Sequence, residues 1–301
     1  MKPLFPYYGN KERVVAIIWD RLGNVKNYVE PFIGSGAVLL GRPIAHLNVT
    51  PRETINDSAG LVSNFFRAVK IDPKYVAECA NFPVSELDIH AKNKYLINGS
   101  MSLTGTLLRD PEYYDPKMAG WWVWGQKVAM MGIWGIRADK CKPNSGRSRE
   151  PVTVQDVLAL SQRLRGVVVL CGGFERCLTP SYTTQLGITG VVLDPPYPSN
   201  RVSKVYADDS QEVFTKVVAW CVQNQNDPKL RIALCGYEGY FSLPPSWEKV
   251  EWSANGGNSN TKKNRSTASE HEKRHLERIW FSPNCLKREG TLLELMEEGS
   301  F

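Results

Sequence analysis

Two short stretches hold the residues whose types and spacing could do chemistry. In GVVLDPPYPS, from Gly190 to Ser199, an apolar run ends on Asp194, and Pro195, Pro196 and Tyr197 follow at once. The prolines fix the backbone and keep carbonyls free of a helix. A carboxylate beside a fixed carbonyl makes two acceptors aimed at one point, which suits an NH2 group with its two hydrogens. Drawing both hydrogens out of the plane of an aromatic amine localises its lone pair and makes the nitrogen a better nucleophile. Tyr197 offers a ring face on which a base could stack. By itself such a segment is only a proline-rich turn after a buried strand. Upstream, EPFIGSGAVLL places Glu30, Pro31 and Phe32 before a turn of Gly34, Ser35 and Gly36 that opens a helix. Glycines there let backbone N–H groups approach a ligand closely. The third glycine of a dinucleotide fingerprint is missing. Asp57 comes 21 residues after Gly36, where an acid could take the two hydroxyls of a ribose; it could equally cap the following helix.

These residues need elements to hold them at one edge. ERVVAIIWDRLG spaces its apolar residues as a helix that stops at Gly23. NYVEPF reads as a short strand, GSGAVLL as a turn into a helix, ETINDSAG as a second strand and LVSNFFRAVK as a helix. GVVVLCGG, GVVLDPPY and LRIALCGY read as further strands, with the helix QEVFTKVVAWCVQN between the last two, and HLERIWFS as a late strand. Strands alternating with helices predict an α/β fold with a parallel sheet and helices on both faces. Ligands of such sheets bind at the carboxyl ends of the strands. Residues 73–150 lack the buried-strand pattern and predict a mainly helical insertion between catalytic segments 1–72 and 151–301. Four of the nine tryptophans lie between Trp121 and Trp134, and packing inward is their expected role.

Composition narrows the classes. The chain has 301 residues, 42% hydrophobic, and no apolar run approaches a membrane span. Its N-terminus lacks a secretory pattern, so a cytoplasmic protein is expected. Seven cysteines with no CxxC pair argue against a zinc site or a disulfide framework. The net charge of +6 is unevenly spread. Arg137, Lys140, Lys142, Arg147 and Arg149 face a single acid, Asp139, and Lys262, Lys263 and Arg265 lie in a segment without acids from Ser253 to Ser269. Both segments are rich in Gly, Ser and Asn and fit loops that meet phosphate, or plain solvated surface.

PYYGNK, EPFIGSGAVLL, INDSAGLVSNFF and VVLDPPY, in this order, resemble the adenine-specific DNA methyltransferases of the DNA adenine methylase type. The resemblance covers residues 4–70 and 166–200, and more loosely the late stretch ERIWFSPNCL. It implies a Rossmann-like methyltransferase sheet, S-adenosylmethionine as methyl donor, no metal, and double-stranded DNA as partner, with a monomer favoured. It places Tyr7 and Lys11 in the cofactor site, the methionine-binding turn on Glu30 to Gly36, the ribose acid on Asp57, and the catalytic acid and stacking ring on Asp194 and Tyr197. Gly173 stands where relatives often carry an acid, which leaves Phe174 to stack on the cofactor adenine. The Arg-Phe-Asn stretch associated with GATC readers is absent from the insertion, so no target sequence follows. A methyltransferase for amines of cytosine, RNA or protein, and an inactive DNA-binding relative, stay open as alternatives; Asp194 itself argues against the first, since cytosine enzymes usually carry Ser there.

Overall fold

A computed structural model describes residues 1–7, 11–44, 50–129, 134–135, 142–143, 150–196, 210–252 and 277–287. Its strands are β1 (Asn27–Glu30), β2 (Arg52–Asp57), β3 (Val167–Cys171), β4 (Thr189–Leu193), β5 (Leu230–Tyr237), β6 (Glu248–Glu251) and β7 (Glu277–Phe281). They form one seven-stranded sheet in the order β3-β2-β1-β4-β5-β7-β6. β1 to β5 run parallel, and β7 enters antiparallel between β5 and β6. The order reverses between β1 and β4, so a crevice opens at their carboxyl ends, the usual ligand position in open parallel sheets. The α/β expectation holds.

The central strands are covered on both faces, which is why β4 and β5 read as nearly unbroken apolar runs, whereas β1 and β2 also bury Asn27, Glu30, Glu53 and Asn56. Tyr28, Val192, Ala233, Cys235 and Ile279 join one core cluster. Val29, Val191, Leu193, Leu234 and Trp280 join the other. β3, at the sheet edge, leaves Val168 and Val169 exposed. Helix α1 (Val15–Leu22) buries Ile18, Trp19 and Leu22, and α2 (Ala37–Leu40) is a single buried turn. Helix α3 (Gly60–Ile71) follows β2.

The stretch after α3 is helical, as its lack of strand patterning predicts: α4 (Pro73–Cys79), α5 (Glu86–Arg109) and α6 (Pro116–Val128). Asp115 caps α6 and Pro116 opens it, a favourable pairing because proline has no N–H to leave unsatisfied at that position. Two hydrogen bonds of 2.8 Å tie the Asn64 carboxamide of α3 to the backbone of Asp115. Trp122, Trp124 and Trp134 are buried. Trp122 packs edge-on against Phe5 with ring centroids 4.8 Å apart, so the tryptophans act as core and also lock the amino-terminal segment to the helices. Helix α7 (Val154–Arg163), started by a capping box at Thr153 and Asp156, leads back to the sheet. Helix α8 (Ser210–Asn224) precedes β5.

The edge remote from the crevice is pinned by charge. Glu53 on β2 is buried and accepts from Arg42 at 3.1 Å and from both terminal nitrogens of Arg163, at 2.6 and 2.7 Å. Such partners satisfy the oxygens of a buried acid.

Candidate active site

β1 ends in Glu30 and the chain turns through Gly34 and Gly36, which take φ values of 49° and 74°. Side chains with a Cβ are strained in this left-handed region. At Gly34 a Cβ would also stand 2.8 Å from Cδ1 of Tyr7, so the Tyr7 ring lies directly against the turn. The expectation that glycine N–H groups face a ligand needs correction at these two positions. The Gly34 N–H bonds the Asp57 carboxylate, and the Gly36 N–H bonds the Ile33 carbonyl at 2.8 Å. The glycines permit a tight fold of backbone, and their donors are spent inside the protein.

Asp57 ends β2. It accepts from the Ala59 N–H at 2.8 Å as well as from Gly34, so it shapes the entry to α3 although Ala59 holds the cap position. Burial raises its carboxyl to about 6 against these two stabilising hydrogen bonds. Its neighbour Asn56 is fully enclosed. The Asn56 amide donates at 3.0 Å to the carbonyls of both Pro31 and Gly172, while its backbone carbonyl accepts from Ile33 at 3.1 Å. One side chain thus ties together the loops after β1, β2 and β3. Phe32 and Phe174, on two of those loops, stack with centroids 5.5 Å apart. Gly173 beside them is exposed.

Glu30 is buried at 5% exposure. The Tyr28 hydroxyl donates to it at 2.8 Å, and the Leu39 N–H bonds it too. Burial prevails over both bonds and pushes its carboxyl up to about 8.

β4 delivers Asp194 to the other side of the crevice. Its Oδ2 lies 2.7 Å from Nζ of Lys11. Lys11 is buried, which by itself lowers an ammonium's pKa, but the neighbouring Asp194 carboxylate outweighs this and, with Glu277, holds it above the ordinary lysine range. The Lys11 ammonium also faces the ring of Trp252 at 5.7 Å. Pro195 is buried and Pro196 half-buried. Tyr7, Lys11, Glu30, Phe32, Gly34, Ser35, Gly36, Asp57, Phe174 and Asp194 therefore all belong to the carboxyl-end edge of the sheet or the loops that adjoin it.

Tyr197, Arg137, Lys140, Arg147, Arg149, Lys262, Lys263 and Arg265 lie outside the described residues. Lys142 is described and exposed. Sequence reasoning missed Tyr28, Asn56, Cys235, Trp252 and Glu277. Asn56 carries a weak signal as a polar residue inside an otherwise buried strand; the others acquire meaning only from strand register.

No group of three or more His, Cys, Asp or Glu side chains suited to a metal occurs among the described residues. The site instead sets carboxylates around a tight glycine turn with stacked aromatic rings alongside. That donor set fits a cationic ligand with a ribose and a flat base, and so fits S-adenosylmethionine.

A family model for the D12 class of N6 adenine-specific DNA methyltransferases matches residues 7–99. The match begins at Tyr7, takes in Lys11, Glu30 to Gly36 and Asp57, and ends within α5, short of Asp194. The type II methyltransferase M.MjaIII of Methanocaldococcus jannaschii is 23% identical to the chain over 218 residues, 67% of this chain and 72% of that protein.

Proposed function

We propose, on the premise that this chain is an adenine-specific DNA methyltransferase of the D12 class, that Asp194 and the Pro195 carbonyl grip the N6 amine of the target adenine. The observation that carries this reading is the Lys11–Asp194 ion pair at the tip of β4, across the topological switch from the glycine turn. The pair fixes the Asp194 side chain at the place where β1 and β4 part.

S-adenosylmethionine, the usual donor of such enzymes, supplies an electrophilic methyl group when bound. The chain's part is to orient and to exclude. Glu30 faces the donor's positive charge, Asp57 takes the ribose hydroxyls, and Phe174 with Phe32 stacks on its base. Tyr7 closes over the Gly34 turn. Asp194 accepts one N–H of the target amine and Pro195 the other, which draws the lone pair out of conjugation and toward the methyl carbon. Tyr197 stacks on the base. Fixing both reactants in line supplies much of the acceleration. A base inside duplex DNA is out of reach, so it must be swung outward, at a cost of a few kcal/mol.

Double-stranded DNA is the substrate in this reading. Residues 73–150 carry target recognition, because they stand between the two halves of the sheet domain and end in the basic run Arg137, Lys140, Lys142, Arg147 and Arg149. Lys262, Lys263 and Arg265 contact phosphate from the other side. Phosphate contacts fix register and base contacts read sequence.

Incubation of the chain with isotopically labelled donor and with duplex DNA, RNA or protein tests the reading. Label should enter duplex DNA at adenine N6, and methylation-sensitive sequencing should map one site. Asp194→Ala should lose turnover by orders of magnitude while still binding the donor. Near-normal turnover of Asp194→Ala under saturating donor would defeat the assignment.

A further inference from the structure

The sheet continues past Asp194 toward β6, and the side chains at that end have no part in the chemistry above. Leu193 pairs with Leu234, so Asp194 and Cys235 come next on adjacent strands and project to the same face. Two residues on, Tyr237 pairs with Glu277. Glu251 pairs with Arg278, so Trp252 follows opposite Glu277. Tyr237, Glu277 and Trp252 therefore stand level with one another, two residues beyond Asp194 and Cys235 and on the same face of the sheet.

Trp252 stands out in this row. It packs against the core cluster that holds Val192, Cys235 and Ile279. Its ring takes the Lys11 ammonium on one face, and that ammonium is paired with Asp194. Its indole N–H is buried and has no hydrogen-bond partner among the described residues. Buried donors are almost always satisfied, and this one calls for a partner beyond the described residues. Indole nitrogen can only donate, so that partner is an acceptor.

We propose that Trp252 forms the far wall of the target-base pocket and that its Nε1–H donates to a ring nitrogen flanking the exocyclic amine. The proposal rests on the reading of Asp194 as the grip on that amine. Adenine offers two such acceptors in the plane of its amine, N1 and N7, and both come to the Asp194 side of the crevice when the amine does. Glu277 lies near enough to Lys11 to raise its pKa, so its place in the row is beside that ammonium. Lys11 is already engaged with Asp194. The contact makes Trp252 a specificity-determining residue: a base with an amine but no adjoining acceptor leaves the indole N–H buried and unpaired.

The test uses duplexes in which the mapped target adenine is replaced by 1-deazaadenine or 7-deazaadenine, with wild-type enzyme and Trp252→Phe. The wild type should lose about tenfold in kcat/KM on one of the two analogues, a measurement that needs no variant to fold. Trp252→Phe should show a similar loss on adenine, no further loss on that analogue, and an unchanged affinity for the donor by calorimetry. If both analogues turn over like adenine, or if the losses multiply on each analogue, the contact does not exist. Activity in Asp194→Ala would instead remove the premise; an inactive Asp194→Ala with multiplying losses would remove only the Trp252 contact.

Discussion

If Glu30 faces the donor as proposed, donor binding should depend on pH. Its carboxyl is buried at the end of β1 and drawn up to about 8, chiefly by that burial. Near pH 6 about one chain in a hundred then carries it ionised, and at pH 8 about half do. A bound sulfonium and ammonium favour the ionised form. If only that form binds, affinity should rise about fifty-fold from pH 6 to pH 8 and level off above. Calorimetry at pH 7 in buffers of different ionisation heat should register release of nearly one proton per donor bound. Asp57, raised to about 6, should steepen the fall in affinity below pH 6. The effect on stability has the opposite sense. Folding favours the neutral acid, so the folded chain holds more protons than the unfolded one between the ordinary value of 4.5 and about 8. Stability of the free chain should decline as pH rises through that window, by up to about 1.4 kcal/mol per unit. Glu30→Gln should flatten both curves. Equal donor affinity at pH 6 and pH 8, or an undiminished slope between pH 7 and pH 8 in Glu30→Gln, would refute the reasoning.

Other perturbations have equally definite outcomes. Lys11→Met leaves the partly exposed Asp194 side chain without its partner and should cost about 1–3 kcal/mol in urea unfolding; Lys11→Met with Asp194→Ala should recover much of it, and additive losses would mean that the pair is not coupled. Gly34→Ala places a Cβ at positive φ against the Tyr7 ring and should cost about 1–2 kcal/mol and weaken donor binding, with unchanged calorimetry counting against the packing argument. Replacing Lys262, Lys263 and Arg265 together with Ala should lower the salt slope of DNA binding by about 3 and weaken all sequences alike; an unchanged slope would show that this segment never meets phosphate. Exchanging residues 73–150 with those of a relative should change the methylated sequence, and an unchanged map would move recognition elsewhere.

Much of this arrangement could be read from the chain itself. The strands β4 and β5 are legible because burial on both faces leaves nearly unbroken apolar runs, and Asp194 stands out by contrast; β1 and β2 are legible only from their place between helical stretches. The helical stretch is legible from the lack of such runs. β6 was not anticipated: Glu248, Lys249 and Glu251 are charged and only Val250 packs inward, so no periodicity survives in four residues. Glu277 was visible only as part of a late strand, because its closeness to Lys11 comes from the antiparallel insertion of β7, which no local pattern encodes. The Gly34 and Gly36 donors were misassigned for a related reason. Glycine at a turn signals backbone freedom but not which partner its N–H meets: at Gly36 it is the Ile33 carbonyl, three residues back, and at Gly34 it is Asp57, more than twenty residues on.

The position of β7 also sets the order in which the protein can be made. Every parallel strand has at least one neighbour in the sheet by the time residue 237 has been synthesised, yet β6 pairs with β7 and not with β5. Until residue 281 leaves the ribosome, β6 has no ladder to join and β5 presents an open edge of backbone donors and acceptors, the kind of edge that invites pairing with other chains. The same late strand brings Glu277 to Lys11 and gives Trp252 its place. The nascent chain can therefore pair β1 to β5 before β7 arrives to close that edge and give β6 a partner.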